Sequence, residues 1–319
     1  MKLKSCLEES LTSLLTNYLK KGPFSSHKKT RPIYFYANFP GGKFFRSHLF
    51  LSLCQDLQLF YQKRPLQETD FSTYHWHYCG FLEFHHTYTL IHDDLPSMDN
   101  DDVRRNRPST HKAFSEWEAI LAGDGLLSLS YECLAHCSLE PDLLIHLWKW
   151  ALAYLGPTGL IEGQYQDLEA EKQATSLSLE EYFVIHELKT ARLMQIACLG
   201  AYFSLPRCFH KISLLKDLIL FGREIGLLFQ LLDDLEDWVS KEKNIFSKFE
   251  EQAQKRIELC LNRKTIIEEK YQLFFVKNFL QNFLEKSYIS LQIKGVSLSS
   301  CILLANPSVT PSSTSSSLA

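Results

Sequence analysis

The chain has 319 residues, 45% hydrophobic and 22% charged, with a net charge of −3. That balance and length suit a globular protein with a large buried core, and the weak negative charge leaves any phosphate affinity to local clusters rather than to bulk nucleic-acid binding. Nine cysteines, an odd number with no Cys-x-x-Cys pair, read as reduced, packed thiols of a cytoplasmic protein. Leu7, Leu11, Leu14, Leu15, Tyr18 and Leu19 repeat at helical spacing until Lys20-Lys21-Gly22-Pro23 ends the helix. Glu8 and Glu9 interrupt this segment, so no signal peptide is expected. Residues 23–42 read as a loop closing on Pro40-Gly41-Gly42, and helical spacing resumes from Lys43 to Tyr61. A third helix is expected from about Thr69 to Asp94, stopped by Pro96.

Further helices are expected near 112–137, 141–154 and 158–171. Ser178-Leu179-Glu180-Glu181 forms a capping box that opens a long helix toward Ser204. Another helix starts near Pro206, carries Leu214, Leu218, Phe221, Ile225, Leu228 and Leu232, and ends in an acidic cluster. Helices near 246–262, 263–287 and 288–304 follow. No strand alternation is sustained, and no stretch of about 18 uncharged apolar residues suggests a membrane span. The expectation is an all-α protein with one helical domain over 1–305 and a disordered Ser/Pro/Thr-rich tail over 306–319.

Two acidic clusters stand out. Asp233 and Asp237 are four apart, so a helix places both on one face. Like charges there, at a helix C-terminus whose dipole opposes them, call for an offset that a divalent metal supplies. In the first cluster Asp93 ends a helix and Asp99 lies six residues on, with Pro96 breaking the helix so that the chain can turn back. An EF-hand is excluded, because Asp99-x-Asp101-x-Val103 lacks the third oxygen ligand and the Gly. Arg104 and Arg105 offer forked donors suited to phosphate, or pair with the adjacent aspartates. Gly41-Gly42-Lys43-Phe44-Phe45-Arg46 is a Gly-rich turn opening a helix with two cations, without Walker-loop spacing. Carboxylate clusters with basic neighbours suit a metal-held polyphosphate.

Leu90 to His111, followed by Ala119-Ile120-Leu121-Ala122-Gly123-Asp124, resembles the first aspartate-rich motif of the trans-isoprenyl diphosphate synthases, the family of farnesyl and geranylgeranyl diphosphate synthases. Phe229 to Asp237 resembles the second motif and Gly41 to Arg46 the Gly-Gly-Lys segment, with Gly163-Gln164-Tyr165-Gln166-Asp167 and Lys189-Thr190 in order between them. The resemblance implies an isoprenoid-synthase helical bundle with a central cavity. It implies an allylic diphosphate held through three Mg²⁺, or Mn²⁺, by Asp93, Asp99 and Asp233, supported by Asp94 and Asp237. Arg104 and Lys189 would neutralise the leaving diphosphate. Lys43, Arg46, His86 and Arg105 would bind isopentenyl diphosphate. Gln164, Asp167, Thr190 and Gln230, with Lys243 from a lid, would contact the allylic diphosphate or its ordered water, and His92 would orient a ligand rather than be one. Tyr88, with Thr89, lies just over one helical turn before Asp93, where a bulky ring would floor the hydrocarbon pocket and favour a C15 product; a C20 or longer product is the alternative. The resemblance also implies a homodimer.

The chain departs from the pattern at Phe44, Asn106 and Ser109, and in the short segment Trp238 to Asn244, where Lys241 and Lys243 do not align firmly with the family's lid lysines. Competing readings are a metal phosphohydrolase built on His85, His86 and His92-Asp93, a non-catalytic partner subunit of a prenyl synthase, and a terpene cyclase. The first leaves Asp233 to Asp237 unexplained, the second would fit loss of a cluster, and the third has no need of Lys43, Arg46 and His86.

Overall fold

A computed structural model describes residues 2–20, 30–172, 177–238 and 245–293. Among these the chain forms α1 (Lys2–Lys20), α2 (Arg31–Asn38), α3 (Phe45–Gln62), α4 (Thr73–Asp93), α5 (Thr110–Ala113) and α6 (Glu116–Ala135). It continues with α7 (Pro141–Leu155), α8 (Leu160–Lys172), α9 (Leu179–His186), α10 (Arg192–Phe203), α11 (Ile212–Trp238), α12 (Ile245–Tyr271) and α13 (Phe274–Ile293). A two-residue ribbon, β1 (Val103–Arg104) against β2 (Arg107–Pro108), interrupts the helices. Among the described residues the all-α expectation holds with that one exception.

The apolar stripe of α1 is buried as its spacing requires, through Leu7, Leu11, Leu15 and Tyr18. Helices α3, α4 and α10 are buried on most sides and form the centre, with α6, α7, α11 and α13 packed around them. Two tyrosine hydroxyls pin α4 to α10: Tyr74 donates to the Gly200 carbonyl at 2.7 Å and Tyr78 to the Ile196 carbonyl at 2.6 Å. A Cβ at Gly200 would collide with the Tyr78 ring, so glycine is what lets the two helices approach. A second apolar cluster lies between the end of α11 and α12, built on Leu228, Leu231, Leu232 and Leu235 against Ala253, Ile257 and Cys260.

Several boundaries differ from expectation. The expected loop over 23–42 contains α2, whose Pro32 stands in the first turn, where its missing N–H costs nothing. The expected break near residue 262 is absent; α12 runs on to Tyr271, and the helix is interrupted at Gln272, which adopts φ 53°. α13 likewise passes through the expected boundary at 287–288. The long helix from Ser178 is split by a π-turn over Glu187–Ala191, although its capping box is present. Two-residue strands show no alternation, so the ribbon leaves no pattern in the sequence; its turn residues Arg105 and Asn106 have φ 55° and 61°, the hand a tight hairpin needs. The expected tail over 306–319 lies outside the described residues, as do Lys241 and Lys243.

Candidate active site

α4, α8, the π-turn and α11 surround a cavity of about 580 Å³. Its wall carries Asp93, Gln164, Lys189, Thr190, Gln230 and Asp233. Leu127, Leu160, Leu168, Leu193 and Phe229 form apolar parts of the same wall, with Tyr88 and Thr89 contributed by α4. Convergent polar groups in a cavity with apolar walls suit an amphiphile with a charged head.

The chain after α4 folds back as Pro96 suggested. The Asp99 N–H donates to the Asp93 carbonyl at 2.9 Å and the Asn100 N–H to the Leu95 carbonyl at 3.1 Å. Asp99 therefore returns close enough to Asp93 for their charges to interact. Burial pushes the Asp93 carboxyl up to about 7; Lys189 and Arg104 oppose the rise, while Asp99 and Asp94 add to it. Asp99 is also raised, by burial first and then by Asp167 and Asp101 against the pull of Lys189.

Asp94 points elsewhere. It is 2% exposed and accepts from Arg104 Nε at 2.9 Å and Nη2 at 2.5 Å, while Arg104 Nη2 also reaches Asp101 at 3.0 Å. A buried carboxylate requires such a partner. Asp94, expected as a supporting metal ligand, is thus occupied by Arg104 and is absent from the wall of the large cavity. Arg104 and Arg105 border a small adjoining recess with Arg107, Tyr36 and Thr87. Arg107, stacked 4.2 Å over the Tyr36 ring, donates to the Phe39 carbonyl at 2.8 Å and to that of Tyr36, so it anchors α2.

Arg105 lies over the glycine turn: a Cβ at Gly42 would stand 3.2 Å from Arg105 Nη2. Arg46 and His86 enter the large cavity from α3 and α4. Burial lowers Arg46 to about 10, opposed by Glu83 and reinforced by Arg105. Burial and the neighbouring arginines hold His86 well below the ordinary imidazole range, so it is neutral at physiological pH. Glu83 belongs to this group and was not anticipated. It is buried one helical turn before His86 and accepts from the Ser47 N–H at 3.1 Å and the Ser47 hydroxyl at 2.7 Å, locking α3 to α4. An acid inside the apolar run of α4 was the available signal. Lys43 is exposed, its Nζ 5.8 Å from the centre of the Phe283 ring.

On the opposite wall the π-turn presents Lys189 and Thr190. Lys189 pairs with Asp167 of α8. Burial works to lower the Lys189 pKa, but Asp167, Asp93 and Asp99 outweigh it and raise it, so the ammonium is held charged. Thr190 donates to Gln230 Oε1 at 3.1 Å, and Gln230 Nε2 donates to Asp234 Oδ1 at 3.1 Å. Tyr182 donates its hydroxyl to the other oxygen of Asp234. Asp234 is thereby held by the protein while Asp233 lines the cavity. Tyr182 carried no sequence signal. The Asp237 side chain lies outside the described residues.

His92 borders the cavity and approaches the Ile120 carbonyl of α6 at 3.2 Å, with Gly123 leaving room for its ring. Tyr88 packs edge-on against His85, ring centres 4.7 Å apart, and His85 in turn against Phe81 and Tyr131.

A helical bundle with two aspartate-bearing walls around an amphiphile-shaped cavity defines an isoprenoid-synthase fold. The polyprenyl synthetase family model matches residues 27–261, and the chain belongs to that family. It is 39% identical over 168 residues to the farnesyl diphosphate synthase of Geobacillus stearothermophilus, covering 51% of this chain and 54% of that one. It is 36% identical over 217 residues to geranylgeranyl pyrophosphate synthase 4 of Arabidopsis thaliana, covering 67% and 53%. These matches span about half the length of the curated relatives. The crystal structure of geranyltransferase from Helicobacter pylori complexed with magnesium and isoprenyl diphosphate superposes with a TM-score of 0.64 at 29% identity, over 95% of this chain and 96% of that one.

Proposed function

We propose that this chain condenses isopentenyl diphosphate with allylic diphosphates, dimethylallyl and geranyl, by 1'-4 head-to-tail coupling to release farnesyl diphosphate and diphosphate. The observation that supports the reading is that Asp93, Asp233 and Lys189 line one cavity together with apolar Leu127, Leu160, Leu168, Leu193 and Phe229.

The donor set fits a hard divalent cation. Among the described residues no three carboxylate, imidazole or thiol groups converge to hold an ion unaided. Mg²⁺ keeps several waters and takes one or two carboxylates plus substrate phosphate oxygens, and the aspartates on this cavity are oxygen donors of that kind. Asp93 at the end of α4, Asp99 after it and Asp233 of α11 would each share an ion with the substrate diphosphate; Asp94 is spent on Arg104. Bound Mg²⁺, with Mn²⁺ as a substitute, supplies Lewis-acid neutralisation of the leaving diphosphate.

The chain's own groups do the rest. Lys189, already charged, adds its ammonium to the diphosphate that departs as the allylic C–O bond breaks. Gln164 and Gln230 donate to the same head group: Gln164 Nε2 is buried without a partner, and Gln230 Nε2 keeps a second hydrogen beside the one given to Asp234, while the Thr190 hydroxyl, donated to Gln230 Oε1, orients that amide. Arg46, Arg105 and Lys43 receive the diphosphate of isopentenyl diphosphate, and neutral His86 donates a hydrogen bond there without adding charge. The buried Arg46 Nε is unpartnered, as an anion site awaiting its ligand would leave it. The alkene then attacks the allylic cation, and a proton passes to the departed diphosphate. The apolar walls keep water from trapping the cation.

The chain pairs with a second copy, and the exposed apolar residues Trp117, Ile120 and Leu121 on one side of α6 support that reading. No described helix is long and apolar enough to cross a membrane. The test is incubation with Mg²⁺, labelled isopentenyl diphosphate and each allylic diphosphate in turn. Acid-labile, solvent-extractable C15 product is expected.

A further inference from the structure

The π-turn that presents Lys189 and Thr190 is held from behind by a network of charged side chains. Glu187, its first residue, accepts from Arg223 Nε of α11 at 2.6 Å and lies 3.6 Å from Arg192 Nη2. Arg223 Nη1 then donates to Glu224 at 3.2 Å. Glu224 is fully buried and also receives Arg256 at 3.0 Å and Arg263 at 2.9 Å, both from α12. Arg192 and Arg256 lie over the rings of Tyr154 and Phe183, 4.4 and 5.5 Å from their centres.

Two features show that this network does more than neutralise charge. Three arginines meet one buried carboxylate, where apolar side chains of the same volume would serve stability as well; buried ionic groups are best attested as devices that fix register. The turn they hold also has a register to fix. A π-turn carries one residue more than an α-turn, and slipping back to regular helix would rotate Lys189 and Thr190 about 100° relative to α10. The turn is wedged on both sides. A Cβ at Gly163 of α8 would collide with the Lys189 nitrogen and Leu188, and one at Gly226 of α11 with the Ala191 Cα.

We propose that Glu187 and Arg223, anchored on Glu224, are positioning residues that hold the π-turn in register so that Lys189 and Thr190 face the cavity. Neither touches substrate. The network also ties the turn to α12 through Arg256 and Arg263. The inference rests on the proposed prenyl-transfer reading for its kinetic consequence, but its structural consequence is independent of it.

Arg223→Met and Glu187→Gln are the informative variants, because Glu224 keeps Arg256 and Arg263 in both. The KM for geranyl diphosphate rises at least tenfold while that for isopentenyl diphosphate changes less than twofold. Amide hydrogen exchange over 188–191 speeds up at least tenfold. Arg223→Lys, which keeps the charge, shows a smaller rise in the geranyl diphosphate KM and a smaller loss of exchange protection than Arg223→Met. Arg207→Met, which removes the exposed pairs with Glu140 and Asp142, serves as a control and leaves both KM values and the exchange unchanged. Equal rises in both KM values, or unaltered exchange over 188–191, overturn the proposal. If Arg223→Met does not fold, the same criteria apply to Arg223→Lys and Glu187→Gln. If the wild-type protein turns over neither substrate, the prenyl-transfer reading fails, and exchange in the folded variants still decides the positioning claim.

Discussion

Truncating Tyr88 to alanine should lengthen the product by one isoprene unit. The ring is buried, lines the cavity on one face, and is backed by His85 at 4.7 Å. Removing it extends the chamber by roughly the rise of one helical turn, about 5.4 Å, which is close to the length a further five-carbon unit needs. His85 and then Phe81, whose ring centre is 6.0 Å from that of His85, form the next barrier, so growth stops there. The expected product is C20 with little beyond it. Stability should fall by about 3 kcal/mol, the low end for aromatic truncation, because one face of the ring already borders open space. The assay is phosphatase release of the product alcohols followed by reversed-phase chromatography, with urea unfolding alongside. A folded Tyr88→Ala enzyme still ending at C15 would refute the floor. A product running far past C20 would refute the second barrier.

Asp233→Ala should lower kcat by at least about a hundredfold, the scale of losing a main electrostatic element, with a circular dichroism spectrum like that of the wild type. Mg²⁺ affinity, measured by calorimetry, should rise about tenfold from pH 6 to pH 8, because the cation binds carboxylates that have lost their protons and the Asp93 carboxyl is pushed up to about 7; a flat profile would contradict that. His85 is held neutral by burial, with its pKa lowered to about 3. A depressed histidine stabilises the fold above its unfolded value near 6.5 and loses that contribution as pH falls toward 3. At pH 5 the loss is about 2 kcal/mol. His85→Leu should make urea stability less sensitive to pH across that window. Leu121→Asp on the exposed face of α6 should shift sedimentation from dimer to monomer.

Helix spacing made most of the fold legible, because amphipathic stripes such as Leu7, Leu11 and Leu15 are written at constant period. The misplaced features are those that short-range pattern does not encode. The Arg105-Asn106 hairpin depends on left-handed backbone at two non-glycine residues, and the interruption at Gln272 on another. The π-turn packs closely on α8 at Gly163 and on α11 at Gly226, contacts that cannot be read along one strip of chain. At the site, the folding back of Asp99 onto Asp93 was readable from Pro96. Asp94 was not separable from Asp93 in sequence. Adjacent residues on a helix point about 100° apart, and only the packing of Arg104 shows which one turns inward. Glu83, Tyr182 and Glu187 act through distant partners, so their roles appear only when α3, α9 and α11 are assembled.

The most direct test of the central claim is single-turnover analysis of the purified protein with Mg²⁺, geranyl diphosphate and labelled isopentenyl diphosphate. The account predicts farnesyl diphosphate and one equivalent of released diphosphate, both lost in Asp93→Ala and Asp233→Ala. Folded protein that incorporates no label with geranyl diphosphate or with any other allylic acceptor would contradict it.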